Sequence, residues 1–95
     1  MVKARVLVKG NVQGVGFRAL LVQTARRFNL EGIARNLKDG TVEIFCDESK
    51  NNIEAFLKKI NIKGNSEDPF SLHVTEMKCY WEGEPSYKEA WKIYE

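Results

Sequence analysis

Apolar and polar residues alternate at the start of the chain and then change to helical spacing. Over residues 2–9 every second side chain is apolar, with mostly basic residues between them, which predicts a strand with one buried face. Residues 10–16 contain three glycines and predict a loop. Over residues 17–28 the apolar side chains recur on one side of a helix, and Asn29 is a suitable helix end.

The middle of the chain predicts a hairpin followed by a second helix. An Asp-Gly pair at residues 39–40 favours a tight turn between a short strand, residues 33–37, and a returning strand, residues 41–47. Ser49 is a favourable N-cap and predicts a helix that ends near Ile60.

The last third of the chain predicts a loop and two strands. The loop covers residues 62–70, the fourth strand residues 72–82 and an aromatic-rich fifth strand residues 87–94, with a turn at residues 83–86. Two helices on one face of a mostly antiparallel sheet, in the order β-α-β-β-α-β-β, predict an α+β, ferredoxin-like (split βαβ) sandwich. Because this fold serves many functions, the function depends on the site.

Length and composition narrow the class of protein. The 95 residues suit one domain, residues 1–95, and 29% charged residues are ordinary for a soluble globular chain. The formal net charge of +2 is too small to favour a nucleic-acid binder. No segment resembles a signal peptide or reaches the ~18 apolar residues of a membrane helix, so we expect a cytoplasmic protein.

The two cysteines lack the spacing of a metal site. Cys46 and Cys79 form no C-x-x-C pair, and the chain has a single histidine, so we expect no zinc site. Each cysteine lies in an alternating apolar run and is expected to be a buried small hydrophobic residue. Nothing in the sequence requires a disulfide or excludes one.

The glycine-rich loop has the features of an anion-binding site. Glycines let the backbone approach a ligand closely, and successive N–H groups of such a loop can form a nest. The first N–H groups of the following helix lack partners. Arg18 lies in the first turn, where its guanidinium can bind two phosphate oxygens although a cation there weakens the helix. Spacing alone leaves a plain tight turn equally open.

A dinucleotide site is a weaker alternative for the same loop. Gly14-x-Gly16-x-x-Ala19 matches the relaxed dinucleotide pattern, but the chain is too short for a doubly wound sheet. No Walker sequence occurs. Asn36 is an unfavourable strand residue that either starts the turn or directs its amide at a ligand.

Two sequence blocks resemble the acylphosphatases. They are Gly-Asn-Val-Gln-Gly-Val-Gly-Phe-Arg at residues 10–18 and Gly-Ile-Ala-Arg-Asn-Leu-Lys-Asp-Gly-Thr-Val-Glu at residues 32–43. The spacing of the blocks and the chain length also agree with that family. The resemblance implies hydrolysis of the carboxyl–phosphate bond of acyl phosphates to carboxylate and inorganic phosphate.

The resemblance also implies roles for particular residues. The loop amides and the Arg18 side chain would hold the phosphate, and Asn36 would orient the attacking water. The implied phosphate-binding residues are Gln13, Gly14, Val15, Gly16, Phe17 and Arg18. No metal, cofactor or covalent intermediate is implied. The implied partners are a small acyl phosphate and inorganic phosphate as product and inhibitor, with no nucleic acid, no membrane and a monomeric chain.

No side chain is expected to act as a general base, because phosphoryl transfer depends mainly on positioning and electrostatics. Asp39 is most simply the turn residue. Glu43 alternates with core positions and is expected to be exposed. His73 is expected on a sheet face, far from both blocks.

Two other functions stay open. Acylphosphatase-like domains also begin large enzymes that process carbamoyl phosphate, although a chain of this length favours a free-standing role. A non-enzymatic ferredoxin-like binding module, such as an RNA-recognition domain, is less favoured because the first strand has no aromatic residue and the third has only Phe45. The sequence does not identify the natural acyl group.

Overall fold

The computed structural model describes residues 1–14, 16–64, 67–68 and 71–87. Their elements are β1 (Val2–Asn11), α1 (Phe17–Arg27), β2 (Glu31–Asn36), β3 (Val42–Glu48), α2 (Lys50–Ile60) and β4 (His73–Trp81). The predicted order of these elements is confirmed, and each end lies within two residues of the predicted one.

The four strands formed by the described residues make one sheet in the order β2-β3-β1-β4, and every neighbouring pair is antiparallel. α1 connects β1 to β2 and α2 connects β3 to β4, so each crossover spans the strand that lies between. Apolar side chains of both helices and of one sheet face form a common core, which includes Val6, Val8, Phe17, Leu21, Ile44, Ile53 and Phe56. This is the predicted ferredoxin-like α+β fold.

The predicted fifth strand, residues 87–94, lies outside the described residues except for Tyr87. At Tyr87 the prediction is wrong, because this residue forms a short helical segment with Pro85 and Ser86, where a turn was predicted. The Tyr87 N–H donates to the Glu84 carbonyl at 3.1 Å, an i to i−3 bond that an extended strand cannot make.

β1 changes its register against β4 between Lys9 and Gly10. Gly10 has a φ of +137°, and a Cβ there would lie 2.4 Å from the His73 carbonyl oxygen, so only glycine fits this contact. His73 therefore lies opposite Asn11 and beside the first sequence block. Its predicted place on a sheet is confirmed, but the expectation that it lies far from the first block is wrong, since sequence separation does not reveal strand pairing.

The sheet face that points away from the helices is also buried in part, which corrects the prediction of a half-buried β1. Arg5 and Leu7 are 0% and 2% exposed. Glu43, expected to be exposed, is 0% exposed as well. Alternation assigned these residues to the correct face, but it cannot tell whether opposite charges on neighbouring strands neutralise one another there.

Glu43 joins three strands through its carboxylate. Its Oε2 accepts a hydrogen bond from Arg5 Nε at 2.8 Å and also contacts Arg5 Nη2, while its Oε1 accepts one from Arg35 Nε at 2.5 Å. Arg35 lies directly opposite Glu43 on β2. Arg5 and Glu43 are fully buried, whereas the Arg35 side chain is 56% exposed.

The two cysteines are free thiols. Cys46 lies opposite Ala4 and Cys79 opposite Val6, so β1 separates them. Two strand spacings alone place their Cα atoms at least about 9–10 Å apart, beyond the roughly 4.4–6.8 Å that a disulfide spans. Burial raises the pKa of Cys46 to about 11 and is the main cause that raises the pKa of Cys79 to about 12.

We expect both thiols of the folded protein to react slowly with iodoacetamide at pH 8. An ordinary thiol is partly ionised at that pH, whereas these pKa values leave a very small thiolate fraction, so labelling of each thiol should be at least about 100-fold slower than in urea-unfolded protein. Mass spectrometry of timed samples measures this rate. Equal rates in folded and unfolded protein would contradict the burial of Cys46 and the partial burial of Cys79.

Candidate active site

The two sequence blocks meet at one end of the sheet. β1 and β2 both end there and β3 begins there, so Val8, Val42 and Asn36 form one row across three strands. The loop of residues 12–16 leaves β1 shortly beyond this row. The fold therefore brings the glycine-rich loop beside the β2–β3 hairpin, as a catalytic use of both blocks requires.

Two loop glycines have backbone angles that other residues rarely adopt. Gly14 has a φ of +75°, and Gly16, the N-cap of α1, has a φ of +82° in the left-handed region. A Cβ at either position would meet nothing within 4 Å. The backbone conformation, and not crowding, therefore requires glycine here, and it leaves space for a ligand to approach the main chain.

The N-terminus of α1 is open to an anion. Gly16 has no side chain that could cap it, and the described first turn contains no acidic residue. At α2, by contrast, Ser49 Oγ accepts a hydrogen bond from the Asn52 N–H at 3.3 Å. The first N–H groups of α1 thus keep their partial positive charge for another partner.

Arg18 is the second residue of α1, and its side chain is exposed. The preceding residue, Phe17, is 1% exposed and packs in the core, so it anchors the helix while Arg18 faces solvent. Since the Phe17 side chain is buried, only its backbone amide remains available to a ligand. Among the predicted phosphate-binding residues, Val15 lies outside the described residues, and the other five lie in the loop and the first turn.

Asn36 is the last residue of β2 and is exposed. It lies opposite Val42, which belongs to the core between sheet and helices, so Asn36 is on the same side of the sheet as α1. The hairpin that follows is held by the Leu37 N–H, which donates to the Thr41 carbonyl at 2.8 Å.

Asp39 has the predicted role of turn residue. Its Oδ1 accepts a hydrogen bond from the Thr41 N–H at 2.9 Å. This bond is the main reason why the pKa of Asp39 is below its usual value. The carboxylate is thus engaged in shaping the hairpin, which agrees with the expectation that it is not a general base.

A side chain links the loop to the hairpin. Gln13 Nε2 donates to the carbonyl oxygens of Leu37 and Thr41, each at 3.1 Å. The sequence pointed only to the backbone of Gln13, as part of the phosphate loop. No local pattern reveals a bond between residues more than twenty positions apart, so sequence reasoning missed this contact.

Comparison with known proteins identifies the family. The acylphosphatase family model matches residues 4–93. The chain belongs to the acylphosphatase family. An acylphosphatase from Bacillus licheniformis is 44% identical over 82% of this chain and 81% of its own length. The family resemblance that the two blocks carried is therefore confirmed.

Solved structures support the same assignment. The crystal structure of acylphosphatase from Bacillus subtilis matches with a TM-score of 0.73 and 34% identity, covering 88% of each chain. Full-length HypF in its phosphate- and nucleotide-bound form matches with a TM-score of 0.67 and 32% identity, over 93% of this chain and 11% of HypF.

Membership in the acylphosphatase family makes this chain a hydrolase of acyl phosphates, as predicted. The substrates of acylphosphatases are small molecules. No helix formed by the described residues has the length and apolar character that a membrane span requires.

Proposed function

We propose that hydrolysis takes place where the loop at residues 12–16 meets the β2–β3 hairpin, with Arg18 and Asn36 as the catalytic residues. The observation that carries the proposal is that an uncapped helix N-terminus bearing the exposed Arg18 and a strand end bearing the exposed Asn36 lie at the same end of the sheet. Each of these groups alone has an ordinary structural explanation. Together they offer anion binding and water orientation at one place.

The phosphoryl group binds to the loop. Its oxygens accept hydrogen bonds from the first-turn and loop amides, which we assign to Gln13, Gly14, Val15, Gly16 and Phe17. The Arg18 guanidinium donates to two phosphoryl oxygens and balances the charge that develops on them in the transition state. Left-handed Gly14 and Gly16 let successive N–H groups point to one side, as in an anion-binding nest.

The attacking water is oriented by Asn36. Its side-chain carbonyl accepts a hydrogen bond from the water, whose oxygen then attacks phosphorus in line with the leaving carboxylate. The bond between phosphorus and the acyl oxygen breaks, and the water proton passes to a phosphate oxygen. A carboxylate leaves without being protonated, so the reaction needs no general acid.

The described carboxylate nearest to Asn36 in the sheet does not serve as a base. Glu43 lies one residue beyond Val42, the partner of Asn36, and therefore on the opposite face of the sheet. Both of its oxygens are occupied by arginine side chains. This geometry supports a mechanism that uses positioning and electrostatic stabilisation and no general base.

Asn36→Ala tests the role of the amide. We expect kcat for benzoyl phosphate, assayed without added metal, to fall about 100-fold because the water loses its orientation. The inhibition constant of inorganic phosphate should change by less than about threefold, because the loop and Arg18 remain. Release of benzoate measures the rate. Parallel losses of rate and phosphate inhibition would make Asn36 a phosphate ligand instead.

A domain that handles carbamoyl phosphate is the second candidate function. The match to HypF is compatible with it only in that a similar domain makes up 11% of a much larger protein. A comparison of kcat/KM for carbamoyl phosphate and benzoyl phosphate separates the two functions. A marked preference for carbamoyl phosphate would favour the second.

Further properties belong to the same proposal. We assign one domain to residues 1–95, a monomeric state and a cytoplasmic location. Inorganic phosphate, the product, should compete with substrate because it fits the same loop. The site as proposed uses no cofactor and no metal.

A further inference from the structure

The Gln13 side chain uses both of its N–H donors on the neighbouring hairpin. Nε2 lies 3.1 Å from the Leu37 carbonyl oxygen and 3.1 Å from the Thr41 carbonyl oxygen. Two carbonyls can accept only from the amide nitrogen, because Oε1 at this position would repel both. The contact thus determines which way the amide faces.

The two carbonyls belong to the residues at either end of the hairpin turn, residues 37–41. The Leu37 N–H donates to the Thr41 carbonyl at 2.8 Å, and the Gly40 N–H donates to the Leu37 carbonyl at 3.2 Å. Each carbonyl already has one backbone donor, and Gln13 supplies a second. Gln13 is therefore bonded to both ends of the turn that begins immediately after Asn36.

The two groups that must be aligned lie on different elements. Arg18 and the loop amides belong to the β1–α1 connection, whereas Asn36 belongs to β2, two strands away from β1. A displacement of about 1 Å between such groups can cost about 100-fold in rate. The Gln13 side chain connects these elements directly at the site.

We propose that Gln13 is a positioning residue. Its side chain holds the β2–β3 hairpin, and with it Asn36, at a constant distance from the loop at residues 12–16. This role is separate from that of the Gln13 backbone amide, and it rests on the proposed function. Gln13 acts on the water through Asn36 and does not itself contact the reacting atoms.

Gln13→Met tests this role, because methionine has a similar length but no donor. We expect kcat for benzoyl phosphate to fall at least about 10-fold, since Asn36 is no longer held in line. KM and the inhibition constant of inorganic phosphate should change by less than about threefold, because Arg18 and the backbone amides remain. Steady-state kinetics with phosphate as the inhibitor measure all three quantities.

The decisive measurement compares the effect of Gln13→Met on kcat in the wild-type protein with its effect in the Asn36→Ala variant. If Gln13 acts through Asn36, then Gln13→Met should lower kcat by less than about twofold once Asn36 is absent. A merely structural role predicts the same factor in both backgrounds, and that result would overturn the proposal. If Gln13→Met does not fold, the same cycle is run with Gln13→Asn, which keeps the amide but is too short to reach the hairpin.

Asn11 provides a matched control. Its Nδ2 donates to the Ser71 carbonyl at 2.8 Å, so it makes the same kind of bond from the same sequence block, but toward β4. We expect any effect of Asn11→Ala on kcat to be equal with and without Asn36. If the effect of Asn11→Ala on kcat depended on Asn36 as strongly as the effect of Gln13→Met does, the specific role of Gln13 would be overturned.

The same data separate the two proposals. If Asn36→Ala keeps the wild-type kcat, the proposed function of the site fails, and with it any role for Gln13 through Asn36. If Asn36→Ala loses activity and Gln13→Met lowers kcat by the same factor with and without Asn36, only the positioning role of Gln13 fails.

Discussion

Arg18→Ala is expected to lower kcat/KM for benzoyl phosphate by about 100-fold to 1,000-fold, the range found when one preorganised donor to a developing charge is removed. The guanidinium offers two parallel donors to phosphoryl oxygens, and no neighbouring side chain in the described first turn of α1 can replace it. Inorganic phosphate inhibition should weaken as well, which distinguishes this variant from Asn36→Ala.

Protein stability supplies an independent check on this variant. A cation in the first turn of a helix opposes the helix dipole, and alanine favours helices, so Arg18→Ala should leave the free energy of unfolding unchanged or raise it by ~0.3–1 kcal/mol. Urea titration measures it. Lost activity in a protein of equal or greater stability therefore reports on the site and not on unfolding.

Two variants serve as controls for Arg18→Ala. Arg18→Lys keeps the charge but lacks the planar pair of donors, so it should not restore the rate. Arg27→Ala removes a basic residue from the last turn of the same helix, at the opposite end from the site, and should keep full activity. Full activity in Arg18→Ala or Arg18→Lys would contradict the assignment of Arg18 as the phosphate-binding side chain.

The sequence predicted most of the fold because the relevant signals are local. Alternation, an Asp-Gly turn and the Ser49 N-cap each specify an element from a few neighbouring residues, and the order of elements then restricts the topology. The sequence also indicated the glycine-rich loop and Arg18 as an anion-binding candidate, since a cation in the first turn of a helix is unfavourable for the helix itself.

What the sequence missed depends on pairing between distant strands. The burial of Glu43 depends on Arg5, 38 residues away, and the place of His73 depends on its pairing with Asn11. The Gln13 contact crosses from one block to the other. In each case the residue type is compatible with a solvated surface, and only the register of the sheet shows its partner.

The buried carboxylate of Glu43 leads to the largest expected effect on stability. Glu43→Ala should lower the free energy of unfolding by about 3–5 kcal/mol, because Arg5 stays fully buried after losing its carboxylate partner. Such a loss is a large part of the total stability of about 5–15 kcal/mol of a small domain. Urea titration at low temperature measures it, and the isosteric Glu43→Gln, which should also be destabilised, serves if the alanine variant does not fold.

Two comparisons show whether burial is the cause. Arg35→Ala removes the other partner of Glu43, but the Arg35 side chain is 56% exposed, so we expect a loss of about 1 kcal/mol or less. Arg5→Met combined with Glu43→Leu replaces the buried pair by apolar groups and should recover a large part of the stability lost in Glu43→Ala. If Glu43→Ala and Arg35→Ala were equally mild, the carboxylate would not be holding a buried charge, and the network would be only a surface ion pair.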